Sequence, residues 1–218
     1  MEKNKLTNIL IIFLKTVFSF SLGVGRFLKS NLPNIITSFR LLLTPLAMVL
    51  LMSISAASLA WCLLVVAIIE ITDLLDGWLA RRLNRVSNFG KLFDPFCDMT
   101  FHLLMFLCLT VLGVLSIWIM TIFLLREMTV WFLRFHCAAR GIILGARPWG
   151  KRKANSQTAM LIAIIAALGA HLWGVPLAVD AGLMALSVLL TLVAVVVTII
   201  SLGDYLYHII KEIRHIAR

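Results

Sequence analysis

Between residues 34 and 206 the chain is a succession of long apolar runs broken by short polar turns. Six runs are long enough, or nearly so, to cross a bilayer core, which takes about 20 residues as a helix. In hydrocarbon a backbone must satisfy its own hydrogen bonds, so such runs fold as helices. We place them at 34–53, 57–81, 90–114, 117–140, 156–174 and 181–206. The expected fold class is all-α: a polytopic membrane protein with six transmembrane helices. The composition agrees. Hydrophobic residues make up 61% of the 218 and charged residues only 14%, against about 25% charged in soluble domains. Mean hydropathy is +1.02.

The net charge of +10 is distributed as an orientation signal rather than a nucleic-acid surface. Arg81, Arg82, Arg85 and Lys91 mark the second turn. Arg140, Arg147, Lys151, Arg152 and Lys153 mark the fourth, and Lys211, Arg214 and Arg218 the C-terminal tail. The turns near 54, 115 and 177 carry no Lys or Arg. The positive-inside rule then puts both termini and the basic turns in the cytoplasm. No nucleic-acid partner is expected.

Residues 1–32 form a separate expected unit. Asn8, Lys15, Ser19, Arg26 and Ser30 recur at spacings of seven and four, a polar stripe along one helical face. Lys15 also interrupts the apolar run. The expectation is an amphipathic juxtamembrane helix lying in the interface. It precedes a membrane domain over 33–218. No small-residue cleavage site follows "ILIIFL", so a cleaved signal peptide is not expected.

Asp73, Asp76, Asp94 and Asp98 are the chemically loaded positions, in "TDLLDGWLARRLNRVSNFGKLFDPFCDM". Acids inside an apolar segment are costly and mark function by default. On helices, Asp73, Asp76, Gly77 and Ala80 share one face, and Gly90, Asp94 and Asp98 share another. A helical hairpin turning through "RRLNRVSN" brings the two faces together. Clustered carboxylates repel unless protonated or bridged by cations. An all-oxygen set favours a hard divalent ion, Mg2+ or Mn2+. Two such ions suit phosphoryl chemistry. Gly77, Ala80 and Gly90 leave room beside the acids, although small residues also serve close helix packing. Arg81 suits a phosphate, or serves as an orientation charge.

The cysteines Cys62, Cys97, Cys108 and Cys137 form no C-x-x-C pair and read as small buried thiols. His102 follows Asp98 by four residues, so it either supports that acid or simply packs. Arg126, deep in an apolar run, and Arg134, two turns on, point to a cavity or a partner rather than lipid. With Lys151 and Lys153 they would make a second phosphate site. The alternative is that Arg126 pairs with a structural acid and the lysines orient the chain.

The run Asp73-x-x-Asp76-Gly77-x-x-Ala80-Arg81, then Gly90, Asp94 and Asp98, resembles the signature of the CDP-alcohol phosphatidyltransferase family at every fixed position. The resemblance implies that an alcohol hydroxyl attacks the β-phosphorus of a CDP-linked lipid and CMP leaves. It implies that Asp73, Asp76 and Asp94 hold metal and that Asp98 holds metal and takes the proton. Asp73 and Asp76 with Gly77, Ala80, Arg81 and Gly90 would line the CDP pocket. It implies a homodimer in the cell (inner) membrane with a cytoplasmic active site.

"NLPNIITSFRLLLTP", "REMTVWFLRFHCAARG" and "GKRKANSQ" resemble one branch of the family. Its substrates are CDP-diacylglycerol and glycerol 3-phosphate. Gly150, Lys151, Lys153 and Gln157 match that branch, and Ala154 stands where it has threonine. Arg126, Arg134, Lys151 and Lys153 are the expected acceptor-phosphate residues. The rival readings are another acceptor, such as inositol phosphate, a divalent-cation transporter with an acidic filter, or a non-catalytic membrane protein.

Overall fold

The computed structural model describes residues 40–82, 90–139 and 148–216, with side chains over 40–72, 95–137 and 148–208. The expected N-terminal helix over 1–32, and the turn residues Arg85, Arg140 and Arg147, lie outside the described residues. Six helices fill the described part: α1 Arg40–Met52, α2 Ala56–Arg82, α3 Gly90–Val111, α4 Ile117–Ala139, α5 Pro148–Trp173 and α6 Leu177–Ile216. No strand occurs among the described residues, as the all-α expectation requires.

Local chemistry explains where the helices start and stop. Ser55 and Ser58 cap α2 reciprocally: Ser58 N donates to Ser55 Oγ at 3.1 Å, and Ser55 N to Ser58 Oγ at 3.0 Å. Gly113 and Gly174 follow α3 and α5 at φ 74° and 68°, a backbone that side-chain-bearing residues rarely adopt. Beyond Gly113 the chain folds back, and Val114 N donates to Leu109 O at 2.9 Å.

Two boundaries differ from the hydropathy reading. α5 starts at Pro148 rather than 156, because proline suits a first helical turn and the basic residues after it are good helix formers. α6 continues to Ile216 rather than ending near 206. Lys151 and Lys153 therefore stand on a helix, not in a turn. Pro95 is tolerated inside α3, within its first two turns.

α5 is the central element and packs against α2, α3 and α6, while α4 bridges α3 and α6. Its small buried residues Ala163, Ala167, Gly169 and Ala170 permit close approach; the Cβ of Leu59 on α2 would be 3.7 Å from a Cβ at Gly169. The core is fully apolar in its middle, with Leu51, Leu59, Phe106, Phe123, Leu161 and Ile165 all buried. Phe106 and Phe123 lock α3 to α4, with ring centroids 5.1 Å apart.

The outer surface is apolar too. Leu42, Trp118, Phe132, Leu177, Val188 and Leu192 are all more than half exposed, a hydrophobic exposure no water-facing monomer sustains. Pro148–Trp173 and Leu177–His208 are each long and apolar enough to cross a membrane. The chain is a membrane protein. Shorter apolar helical stretches among the described residues are Arg40–Met52, Ala56–Thr72 and Pro95–Val111.

Candidate active site

The buried polar residues gather at one end of the bundle. There the second halves of α2 and α6 and the middle of α4 meet the first halves of α1 and α5 and the middle of α3. Arg40, His102, Arg126, Glu127, Lys153 and Gln157 are all buried, along with Thr198 and Ser201. Buried polar groups persist only where they are paired.

Asp98 lies about 12 Å along α3 from Gly90 at 1.5 Å per residue. Its Oδ1 is 3.6 Å from Arg40 Nη1 and 3.4 Å from His102 Nδ1, and the side chain is 31% exposed. One carboxylate oxygen is thus anchored from α1 and from its own helix, which leaves the group open on its other side. Arg40 was not singled out from sequence as a site residue. It sits in an apolar run where only its charge could have signalled it.

Asp73, Asp76, Gly77, Ala80 and Arg81 stand in the unbroken helical backbone of α2, and Gly90 and Asp94 in that of α3. Their side chains lie outside the described residues. Among the described residues no three His, Cys, Asp or Glu side chains are grouped to hold a metal ion. The donor set is nevertheless of the right chemistry for hard divalent cations. Its four carboxylates lie one helical turn apart in pairs, and the one described offers a free side.

The expected acceptor residues separate into groups. Lys153 is 3% exposed and ion-pairs with Glu127. Arg126 Nη1 donates to both Glu127 oxygens at 3.0 Å, and Nη2 to Ser201 Oγ at 2.8 Å. Arg126 and Lys153 therefore meet in one buried cluster, with Gln157 Nε2 donating to Thr198 Oγ1 beside it at 3.2 Å. Arg134 lies a further two turns along α4, where Nε donates to Tyr205 Oη at 3.3 Å and the guanidinium stands 5.7 Å from the ring centre. Lys151 is exposed. The structure thus brings two of the four together and leaves Arg134 and Lys151 apart from them.

Glu127, Gln157 and Ser201 complete the cluster, and Tyr205 holds Arg134, without having been predicted as site residues. Glu127 was legible as an acid beside Arg126, and Gln157 as part of "GKRKANSQ". Ser201 and Tyr205 carried no signal, since their role arises only from α4 meeting α6.

Comparisons with known proteins find relatives of this chain. The chain is 32% identical over 148 residues to "CDP-diacylglycerol--glycerol-3-phosphate 3-phosphatidyltransferase" of Bacillus subtilis, covering 62% of this chain and 76% of that one. It is 30% identical over 194 residues to "Probable phosphatidylglycerophosphate synthase" of Mycobacterium tuberculosis, covering 87% and 86%. It is 37% identical over 100 residues to "Cardiolipin synthase (CMP-forming)" of Streptomyces coelicolor, covering 44% and 46%. Residues 30–200 match the model of one family, and that match, taken with the helical layout, makes this chain a member of the CDP-alcohol phosphatidyltransferase family.

Proposed function

We propose that this enzyme transfers a phosphatidyl group from CDP-diacylglycerol to glycerol 3-phosphate, releasing CMP and phosphatidylglycerophosphate. The hydroxyl oxygen bonds to the β-phosphorus, the bond from that phosphorus to the CMP oxygen breaks, and the hydroxyl proton passes to Asp98. Asp73, Asp76, Asp94 and Asp98 would hold two divalent ions, Mg2+ or Mn2+, which neutralise pyrophosphate charge when bound. Gly77, Ala80, Arg81 and Gly90 line the nucleotide pocket. The chain crosses the inner membrane six times as a homodimer. Both termini and the site face the cytoplasm, and the lipid tails remain in the bilayer.

One observation carries the choice of acceptor: the buried cluster of Arg126 and Lys153, at the same end of the bundle as Asp98. An acceptor that brings its own phosphate needs charged donors apart from the metals. Two of the relatives above are named for this acceptor or its product. Of the four expected acceptor residues, Arg126 and Lys153 take the phosphate, while Arg134 is held by Tyr205 and Lys151 is exposed.

The test is CMP release by the purified protein from CDP-diacylglycerol with glycerol 3-phosphate, inositol phosphate or phosphatidylglycerol as acceptor. We expect turnover with glycerol 3-phosphate and a divalent ion. The match to a cardiolipin synthase makes phosphatidylglycerol the informative competitor. Turnover with that lipid alone would move the chain to another branch of the family, and no CMP from any acceptor would sink the transferase reading.

A further inference from the structure

Behind Asp98 a chain of polar contacts crosses three helices. His102, one turn further along α3, holds Nδ1 2.9 Å from the main-chain oxygen of Asp98 and 3.4 Å from its Oδ1. A carbonyl oxygen only accepts, so Nδ1 carries hydrogen. At the other end of the ring, Nε2 lies 3.0 Å from Thr158 Oγ1 on α5. Thr158 in turn donates to Glu70 Oε1 on α2 at 3.1 Å. Glu70 Oε1 is itself 3.9 Å from Nε2.

The ring has no freedom left. It is 2% exposed and lies between Phe101 and Phe106, with centroids at 5.2 and 5.8 Å. A buried imidazole needs a polar partner at each ring nitrogen. Here both nitrogens are engaged, and the partners come from separate helices. His102 is buried, with Thr158 and Glu70 partly buried around it, where apolar side chains would pack at lower cost.

We infer that His102, Thr158 and Glu70 are a positioning chain that fixes the carboxylate of Asp98 for the reaction. The inference rests on the role given to Asp98 above. Arg40 and His102 both lie beside Oδ1, at 3.6 and 3.4 Å from α1 and α3, so they draw that oxygen inward and leave the other toward the site. Glu70 and Thr158 reach Asp98 through the histidine ring. A longer or looser contact anywhere along the chain lets Asp98 turn.

Thr158→Val is the decisive variant, because it removes one hydroxyl at nearly constant volume. It is compared with His102→Ala, the double variant, Thr158→Ser and Asp98→Asn, all in the purified full chain. The readouts are kcat, KM for both substrates, thermal unfolding, and Mn2+ affinity without substrates. Loss of a residue supporting a metal-site ligand costs about 10–100-fold in affinity or activity. We expect Thr158→Val to lower kcat and Mn2+ affinity by about tenfold with KM for glycerol 3-phosphate unchanged. Thr158→Ser restores both, and the double variant is no worse than His102→Ala. Wild-type kcat and Mn2+ affinity in Thr158→Val overturn the inference. So do additive losses in the double variant, or losses that follow unfolding temperature alone. Asp98→Asn separates the two levels. If it keeps Mn2+ affinity and turnover, the role of Asp98 itself is wrong, whatever the other variants do.

Discussion

Lys153 of α5 ion-pairs with Glu127 of α4 inside the bundle, where neither side chain is more than a tenth exposed. Glu127 also accepts from Arg126, so one carboxylate serves two cations. The cluster keeps one positive charge in excess. That suits a site that is stable while empty and still attracts a phosphate.

Lys153 and Lys151 should therefore behave differently, although both belong to the same basic run. Lys153→Ala removes a buried cation and should raise the KM for glycerol 3-phosphate. A charged hydrogen bond is worth about 1.5–3 kcal/mol, or roughly tenfold or more in affinity. Lys151→Ala removes an exposed charge and should change KM far less. Steady-state kinetics of the two variants decide it. The reverse ranking would put the acceptor phosphate at the surface.

Glu127→Gln should destabilise the fold more than it disturbs CDP-lipid binding. It leaves two buried cations without their counter-charge, a loss of about 3–5 kcal/mol for a broken buried pair. In a chain of this length that lowers the unfolding temperature by on the order of 10 °C. Glycerol 3-phosphate should raise the variant's Tm more than the wild type's, because an added anion replaces the missing one. Equal shifts would mean that the phosphate does not reach this cluster.

Much of the fold was legible because hydropathy and charge act over whole segments. The six helices follow the apolar runs, and Gly113 and Gly174 sit where two of them end. The start of α5 was not legible, since Trp149 to Ser156 is polar yet helical. Its hydropathy is that of a turn, while its backbone is set by Pro148 and by packing. In the site, the aspartates announced themselves because apolar segments rarely carry acids. Lys153 looked like an orientation charge or a phosphate ligand, and only the approach of α5 to α4 reveals that it is buried against Glu127. Glu70, Thr158 and Ser201 had no signature at all. Each matters through a contact with a residue more than fifty positions away, which no local spacing encodes.

Asp73→Asn and Asp94→Asn should each abolish turnover while leaving a folded protein. Both replacements keep side-chain volume and remove the charge a divalent ion requires. Turnover should stop in excess chelator and return with Mg2+ or Mn2+. Ca2+ should compete without restoring the rate, because its looser coordination positions phosphate oxygens less well. Full activity in chelator would refute the two-ion reading.

The N-terminal segment should lie on the cytoplasmic surface. Its polar stripe of Asn8, Lys15, Ser19, Arg26 and Ser30 favours an interfacial helix over a span, and Lys15 would be buried in mid-bilayer if the segment crossed. A crossing would also strand Lys3 and Lys5 on the outer face, against the bias of every other basic turn. Site-directed labelling reads this directly. Cys62, Cys97 and Cys108 are buried, so only Cys137 need be replaced by serine to give a quiet background. Asn8→Cys should then react with an impermeant thiol reagent in inside-out vesicles and stay unlabelled in right-side-out ones. Labelling only from the outer face would add a seventh crossing. Because the positive-inside argument fixes the basic turns and the C-terminal tail independently, that result would place the two termini on opposite sides of the membrane.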